Sequence, residues 1–328
     1  MAHTDLPLEQ LRSYTPEVQE PSDFDAFWER TLREARAHGG APVLGDPHPL
    51  LPHVEIRDVT YPGFGGELIK AWYARPAGVT DPLPCIVQIA GYGGGRGLAI
   101  EHTLWPSAGY AHLFIDTRGQ GSNWGNGGDT ADAGVAGPHT PGFMTRGVLD
   151  PEQYYYRRVV TDAVRGVDAA RELPGVDPRR VVFAGMSQGG GVALAVAGLV
   201  PDLAAVLTDV PFLCHFRRAV ALSDALPYAE ITKYLSVHRD VEKQVFATLS
   251  YIDGVNHAKR ATAPALWSVA LMDQICPPST VFAAYNNYGS KAGDVRKDIE
   301  VYAFNDHEGG DMHQRERQIA FLAGVLAA

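Results

Sequence analysis

The segment of residues 180–199, RVVFAGMSQGGGVALAVAGL, is the sequence feature that most constrains the fold. Residues 181–183 form a short β-branched and aromatic run, which is typical of a parallel strand buried on both faces. The run stops at the G-x-S-x-G sequence of residues 185–189, and small apolar residues then continue as a helix would. A buried strand that enters a helix through G-x-S-x-G predicts a nucleophile elbow.

Such an elbow would present Ser187 as a nucleophile. A turn this sharp strains the serine backbone, and glycines two residues before and after it remove the β-carbons that would collide. The hydroxyl would then lie at a helix N-terminus, where free N–H groups and the helix dipole favour negative charge. The alternative is a tight turn whose serine only caps the helix, so the hypothesis requires a general base nearby.

The order of elements along the chain predicts an α/β protein with a mostly parallel sheet and helices on both faces. No linker, repeat or low-complexity segment divides residues 1–328, so we expect a single domain. It would carry a helical extension over about residues 1–40, with Ser22 as a helix N-cap, and a mainly helical insertion over about residues 212–263 before the strand that leads to Asp273. The other expected strands are residues 54–61, 67–74, 84–90, 111–116, 203–210, 264–271 and 298–304.

Two further strand ends supply the partners that a serine nucleophile needs. Ligands of open α/β sheets bind at the carboxyl ends of the strands, and Ser187, Asp273 and His307 each follow a separate expected strand, in the chain order of this fold. Histidine suits the general base because its ordinary pKa is about 6.5, and an aspartate would orient its ring. His307 could instead be an ordinary loop histidine. Three other carboxylates compete with Asp273: Asp209, Asp253 and Asp306.

Two glycine-containing loops would complete the site. In an elbow-type hydrolase one oxyanion-hole N–H comes from a strand-end loop and the other from the residue after the nucleophile, which assigns the backbone amides of Tyr92 and Gln188. The glycines of residues 91–97 also suggest a nucleotide phosphate, but the G-x-G-x-x-G spacing fails at its sixth position. Arg118 would either bind an anionic substrate or tie loop carbonyls and carboxylates together beneath the site.

Composition narrows the class of protein. A net charge of −10 without a basic stripe argues against nucleic-acid partners and anionic membrane surfaces. The N-terminus lacks a basic n-region and an apolar h-region, and no apolar run approaches a membrane-spanning length, so we expect a cytoplasmic protein. Three dispersed cysteines, Cys85, Cys214 and Cys276, suggest no disulfide framework. No metal-ligand spacing is present, so we expect neither a metal nor a cofactor.

These motifs together resemble carbohydrate esterase family 7, the group of acetylxylan esterases and cephalosporin C deacetylases. The family's R-G-Q loop, G-x-S-Q-G elbow and late H-E pair are matched by Arg118-Gly119-Gln120, Gly185-Met186-Ser187-Gln188-Gly189 and His307-Glu308. The likeness runs nearly end to end, through D-F-x-x-F-W at residues 23–28, G-F-G-G at residues 63–66 and P-P-S-T-V-F-A-A-Y at residues 277–285.

The resemblance implies an α/β-hydrolase fold and a serine carboxylesterase that needs no cofactor. Its substrates would be small acetylated sugars, short acetylated xylo-oligosaccharides and cephalosporin C, and it would form a ring-like homohexamer with sites facing an internal cavity. The residues expected to support the site are Arg118, Gly119, Gln120 and Glu308. The family commonly has H-G-Y where this chain has Ala90-Gly91-Tyr92, so the resemblance does not define which alcohol the preferred ester contains. The alternatives are a peptidase or general short-chain esterase of this fold, or a non-catalytic binding protein.

Overall fold

Short runs of small and β-branched residues form the strands of one central sheet. The computed structural model describes residue 3, residues 5–132, residue 134 and residues 136–327. The strands are β1 (Val43–Pro47), β2 (Val54–Pro62), β3 (Leu68–Pro76), β4 (Leu83–Ile89), β5 (Ala111–Ile115), β6 (Val176–Met186), β7 (Ala205–Asp209), β8 (Ala265–Ala270) and β9 (Lys297–Tyr302). Strands β7 and β8 are buried at every position, as parallel strands covered on both faces should be.

Helices fill most of the connections between these strands. The α-helices of the described residues are α1 (Leu8–Leu11), α2 (Phe24–Ala37), α3 (Leu104–Ser107), α4 (Tyr155–Glu172), α5 (Gln188–Leu199), α6 (Phe216–Leu222), α7 (Tyr228–Val237), α8 (Glu242–Leu249), α9 (Gly254–Ala258), α10 (Pro278–Asn287) and α11 (Asp311–Leu326). Helices α6 to α9 lie where the helical insertion was expected. Across the described part of the chain, no helix has both the length and the apolar character needed to cross a membrane.

The sheet has nine strands in the order β1-β2-β3-β5-β4-β6-β7-β8-β9. The pairs β1–β2, β2–β3 and β3–β5 are antiparallel. The remaining pairs, β5–β4, β4–β6, β6–β7, β7–β8 and β8–β9, are parallel. The expected mostly parallel sheet is confirmed. The parallel strands place their carboxyl ends at one edge, where the loops after β4, β6, β8 and β9 meet.

Alternate side chains of β6 face two separate apolar layers, as the period of a strand requires. Val181 and Phe183 pack in the layer that contains α4 and α5, whereas Val182 and Ala184 pack with Phe321 of α11. Helices therefore cover both faces of the sheet, which holds β6 rigidly under the turn that carries Ser187.

The N-terminal region differs from the sequence prediction in three ways. The helix expected to be capped by Ser22 begins at Phe24 and has no side-chain cap, because the carboxylate of Asp23 accepts a hydrogen bond from the Tyr251 hydroxyl instead. Within the described part of the expected extension, helix is confined to α1 and α2. Strand β1 was not predicted, because it is a largely exposed edge strand without apolar alternation.

Glu20 ties the segment between α1 and α2 to the body of the protein. Its carboxylate accepts hydrogen bonds from Lys259 at 2.9 Å, Arg260 at 2.7 Å and Lys291 at 2.5 Å. Burial raises the pKa of Glu20, but the hydrogen bonds from these three cations outweigh burial and lower the pKa to about 2. Since the ordinary pKa is 4.5, this contribution to stability is complete above that pH and is lost as the pH falls toward 2.

We expect Glu20→Gln to lower the free energy of unfolding by about 1–2 kcal/mol at pH 7, because hydrogen bonds to charged groups contribute on that scale. Urea denaturation of both proteins at pH 7, 5 and 3 measures the difference. The difference should shrink as the pH falls below 4.5. A difference that does not change with pH would show that the charge of Glu20 contributes nothing.

Candidate active site

Ser187 lies on the sharp turn between β6 and α5. Its backbone φ is +56°, in the left-handed region that is strained for a residue with a side chain. A β-carbon at Gly185 would lie 2.1 Å from the carbonyl oxygen of Gly189, and one at Gly189 would lie 2.5 Å from that of Ile89. Both glycines are therefore required by the close approach of β6, α5 and the end of β4, as the elbow motif predicts.

Hydrogen bonds join Ser187, His307 and Asp273 in one chain. Oγ of Ser187 lies 2.9 Å from Nε2 of His307, and Nδ1 of His307 lies 2.8 Å from Oδ2 of Asp273. An ionised carboxylate can only accept, so Nδ1 donates to Asp273 and Nε2 accepts the serine hydroxyl hydrogen. Asp273 is buried, and its Oδ1 accepts the backbone N–H groups of Ile275 at 2.8 Å and Cys276 at 2.9 Å, which fix its orientation.

Two of the three competing carboxylates, those of Asp209 and Asp253, have other partners. Asp209 is buried and accepts hydrogen bonds from three side chains of α11. Asp253 accepts three backbone N–H groups at the start of α6 and α9. In the loop that carries His307, the carboxylate of Glu308 accepts the backbone N–H of Asp306 at 3.0 Å and the side-chain amide of Asn305 at 2.6 Å. Glu308 thus braces the loop that presents His307.

The backbone N–H groups of Tyr92 and Gln188 are the expected oxyanion-hole donors, and both residues belong to segments that adjoin Ser187. Gln188 is the first residue of α5, so its N–H has no partner within the helix. Within the described ranges, no backbone acceptor outside regular structure is bonded to this N–H or to that of Tyr92. The loop of Tyr92 passes close to the nucleophile, since a β-carbon at Gly91 would lie 3.9 Å from the β-carbon of Ser187.

Buried glutamines connect the R-G-Q loop to the elbow. Gln120 donates from Nε2 to Oε1 of Gln188 at 2.9 Å and to the Tyr155 hydroxyl at 3.0 Å. Its Oε1 accepts the backbone N–H of Gly93 at 2.7 Å. Oε1 of Gln188 also accepts the Tyr156 hydroxyl at 2.9 Å. These contacts fix the glycine loop after β4 to the start of α5, which explains why both motifs contain glutamine.

Arg118 is buried beneath the loops and does not line the cavity beside Ser187. Its Nε and Nη2 donate to the carboxylate of Asp162 at 2.5 and 2.7 Å, and Nη1 donates to Glu67. Gly119 has φ +69°, and a β-carbon there would lie 3.0 Å from the β-carbon of Asp132. Of the two roles considered for Arg118, this geometry supports the one in which it ties loop carboxylates together.

A cavity of about 440 Å³ opens beside Ser187 and His307. Its walls include side chains that the sequence analysis did not single out: Trp124, Pro141, Leu226, Pro227, Ile275 and Arg315. Trp124 lies in a long loop whose described residues are 123–132, 134 and 136–142, and its indole N–H donates to the backbone carbonyl of Tyr92 at 2.7 Å. The sequence feature that could have indicated Trp124 is a tryptophan within a segment rich in glycine, aspartate and proline.

Asp273, Cys276 and His307 also place metal-ligating atoms within 4.8 Å of one another. Both oxygens of Asp273 and both ring nitrogens of His307 are already engaged in hydrogen bonds. Burial raises the pKa of the Cys276 thiol well above its ordinary value, which disfavours the thiolate that binds metals. This donor set therefore fits a hydrogen-bonded pair better than it fits a metal centre.

Comparison with known proteins identifies the family of this chain. The model of the acetyl xylan esterase (AXE1) family matches residues 1–325. The solved acetyl xylan esterase from Paenibacillus sp. R4 is 39% identical, with a TM-score of 0.86 over 97% of this chain and 99% of that chain. Acetyl xylan esterase 1 from Thermoanaerobacterium sp. JW/SL YS485 is 34% identical, with a TM-score of 0.86 over 98% and 99% of the two chains.

A curated relative is longer than this chain. Acetyl esterase Axe7A of Xylanibacter ruminicola is 27% identical over 293 residues, which are 85% of this chain and 62% of that protein. The family model, by contrast, extends over nearly the whole chain, and the resemblance inferred from the motifs is confirmed. The chain belongs to the acetyl xylan esterase (AXE1) family, and its nine-stranded sheet is that of an α/β-hydrolase.

Proposed function

We propose that this protein is a serine carboxylesterase that removes acetyl groups from small acetylated carbohydrates, such as acetylated xylo-oligosaccharides, and from related esters such as cephalosporin C. The observation that carries the proposal is the hydrogen-bonded chain from Asp273 through His307 to Ser187 beside an apolar-walled cavity. The names of the relatives support the acetyl group, since two are acetyl xylan esterases and one is an acetyl esterase.

In the first half of the proposed reaction, Oγ of Ser187 attacks the ester carbonyl carbon while Nε2 of His307 takes the hydroxyl proton. The carbonyl electron pair moves onto oxygen, where the N–H groups of Tyr92 and Gln188 stabilise the negative charge. When this tetrahedral intermediate collapses, the bond to the alcohol oxygen breaks and His307 returns its proton to that oxygen. The alcohol leaves and the acetyl group stays on Ser187.

In the second half, water repeats the attack. His307 takes a proton from the water as its oxygen bonds to the acetyl carbon, and the same two N–H groups hold the oxyanion. Collapse breaks the bond to Ser187, whose oxygen regains the proton from His307, and acetate leaves. Asp273 stabilises the imidazolium form in both halves and keeps Nε2 pointed at Ser187.

A peptidase or a general short-chain esterase would use the same three side chains, so selectivity for the acyl group and for the leaving group decides between the alternatives. The walls next to Ser187 are held in place, since Trp124 is bonded to the Tyr92 carbonyl and Tyr92 packs against Phe143 and Phe212. Walls of this kind cannot widen for a longer acyl chain without losing those contacts.

We therefore expect a butyryl ester to react about 10- to 100-fold more slowly in kcat/KM than the acetyl ester of the same phenol, because overpacking costs about 1–3 kcal/mol. The measurement is kcat/KM for acetyl, propionyl, butyryl and octanoyl esters, followed by acetylated xylo-oligosaccharides and a peptide anilide. Octanoyl turnover equal to acetyl turnover would exclude the small acyl site, and efficient anilide cleavage would favour the peptidase.

A further inference from the structure

The phenol of Tyr92 is held on three sides by hydrogen bonds. Its oxygen accepts the backbone N–H groups of Gly142 at 3.2 Å and Phe143 at 3.0 Å, and its O–H donates to Oε1 of Glu230 at 2.6 Å. Because both N–H groups are directed at the phenol oxygen, the phenol hydrogen has Glu230 as its acceptor. The side chain of the residue proposed to supply an oxyanion-hole N–H is therefore anchored from outside its own loop.

Glu230 joins three segments that line the cavity. It lies in α7 of the helical insertion, and its second oxygen, Oε2, accepts the backbone N–H of Met144 at 3.0 Å. Met144 follows the long loop that contains Trp124, and the indole N–H of Trp124 donates to the backbone carbonyl of Tyr92. Pro227, next to the start of α7, lines the cavity itself. One carboxylate thus holds α7, the long loop and the turn after β4 in a fixed arrangement.

We propose that Glu230 is a positioning residue for the reaction, which directs the backbone N–H of Tyr92 at the developing oxyanion by anchoring the Tyr92 side chain. This inference rests on the proposed esterase function. Tyr92 lies in a turn outside the helices and strands, so the anchoring contacts of its side chain constrain the direction of its N–H. An oxyanion-hole donor must lie about 2.7–3.1 Å from the negative oxygen, and misalignment weakens a hydrogen bond steeply.

The variant Glu230→Gln tests this role because it keeps the shape of the side chain and removes one of its two acceptors. The Gln carbonyl can accept the Tyr92 hydroxyl, but the Gln NH₂ then faces the Met144 N–H, and two donors cannot bond to each other. If the Gln amide is rotated by 180°, its carbonyl accepts the Met144 N–H, but the Tyr92 hydroxyl then faces the NH₂ group and loses its acceptor. Either arrangement disturbs the joint between α7, the long loop and Tyr92.

We expect Glu230→Gln to lower kcat for an acetyl ester about 10- to 100-fold with KM within about twofold of wild type. Loss of a whole oxyanion-hole donor lowers kcat about 10²- to 10³-fold, and a displaced donor should lower it less. Affinity for phenylboronic acid, which forms a tetrahedral adduct on an active serine, should fall with kcat. Both values are taken per active site, so a variant that is partly unfolded does not imitate the effect.

Two further variants locate the effect. Tyr92→Phe, which removes only the hydroxyl, should give a loss in the same range, and the double variant should lose no more than about the larger single loss, because residues in one network are not additive. The control is Glu242→Gln in the same insertion, where an exposed glutamate pairs with Arg217 away from the cavity. We expect this control to match wild type.

The outcomes separate this inference from the proposed function. If wild-type protein hydrolyses acetyl esters and Glu230→Gln retains wild-type kcat and boronic acid affinity, the positioning role is overturned and the esterase stands. Additive losses in the double variant would also overturn it, because Glu230 would then act independently of Tyr92. Wild-type protein that is inert toward acetyl esters would overturn the proposed function itself.

Discussion

Replacing Ser187 with alanine is expected to lower kcat for acetyl-ester hydrolysis by about 10⁴- to 10⁶-fold while the protein stays folded. The members of a catalytic triad act as a unit, so loss of the nucleophile removes the contribution of His307 and Asp273 as well. In the proposed mechanism, what remains is the stabilisation that the proposed oxyanion-hole N–H groups of Tyr92 and Gln188 would give to attack by water.

The fold should survive this change because the elbow is held by its backbone. The N–H of Ser187 donates to the carbonyl of Asp209 at 2.9 Å, and its carbonyl accepts N–H groups of Gly191 at 3.0 Å and Phe212 at 2.9 Å. Alanine keeps all three bonds. The measurement is kcat at saturating substrate together with the circular dichroism spectrum, and Ser236→Ala, at an exposed serine of α7, is the matched control. Near-normal turnover in folded Ser187→Ala would remove Ser187 from the mechanism.

The second large effect is expected on stability, from Arg118→Met. Without the guanidinium, the buried carboxylate of Asp162 retains only the backbone N–H of Phe64 at 2.8 Å among the partners described for its oxygens. Removing one partner of a buried ion pair costs about 3–5 kcal/mol, because an uncompensated charge stays buried. We expect the free energy of unfolding to fall by that amount at pH 7.

The loss should depend on pH. Burial raises the pKa of Asp162 above its ordinary value of 3.8, and Arg118 opposes that shift. In the variant the pKa rises further, so the folded state takes up a proton more readily than the unfolded state and is destabilised more as the pH rises. Urea denaturation should therefore show a larger difference from wild type at pH 8 than at pH 5.

A double variant provides the control for this prediction. Asp162→Asn in the Arg118→Met background removes the buried charge, and it should recover part of the lost free energy of unfolding. A denaturation curve of Arg118→Met within about 0.5 kcal/mol of wild type would show that the buried ion pair contributes little, since ordinary surface substitutions cause changes of that size.

The features that could be predicted from the sequence are those that depend on residues close together in the chain. The sharp turn at Ser187 could be predicted because the clash that its two flanking glycines avoid is local to that turn. The apolar runs of β6 to β8 indicate burial on both faces directly. Asp273 and His307 could be chosen because the fold brings the carboxyl ends of parallel strands to one edge.

The features that the sequence could not predict depend on contacts between distant segments. Glu230 and Tyr92 are 138 residues apart, and neither the helical pattern of the insertion nor the glycine loop indicates that they meet. The partners of Arg118 could not be predicted for the same reason, because Asp162 lies 44 residues away on the inner face of α4. Strand β1 has no apolar alternation, since its place at the edge of the sheet leaves its side chains exposed.

Covalent labelling of the nucleophile tests the central claim most directly. A fluorophosphonate reacts with an activated serine, and peptide mapping by mass spectrometry locates the adduct. We predict one adduct per chain, on the peptide that contains Ser187. Acetyl-ester hydrolysis should fall in proportion to labelling, and added substrate should slow both the labelling and this loss of activity. An adduct on another residue, or full labelling of Ser187 with hydrolysis unchanged, would contradict the assignment of Ser187 as the nucleophile.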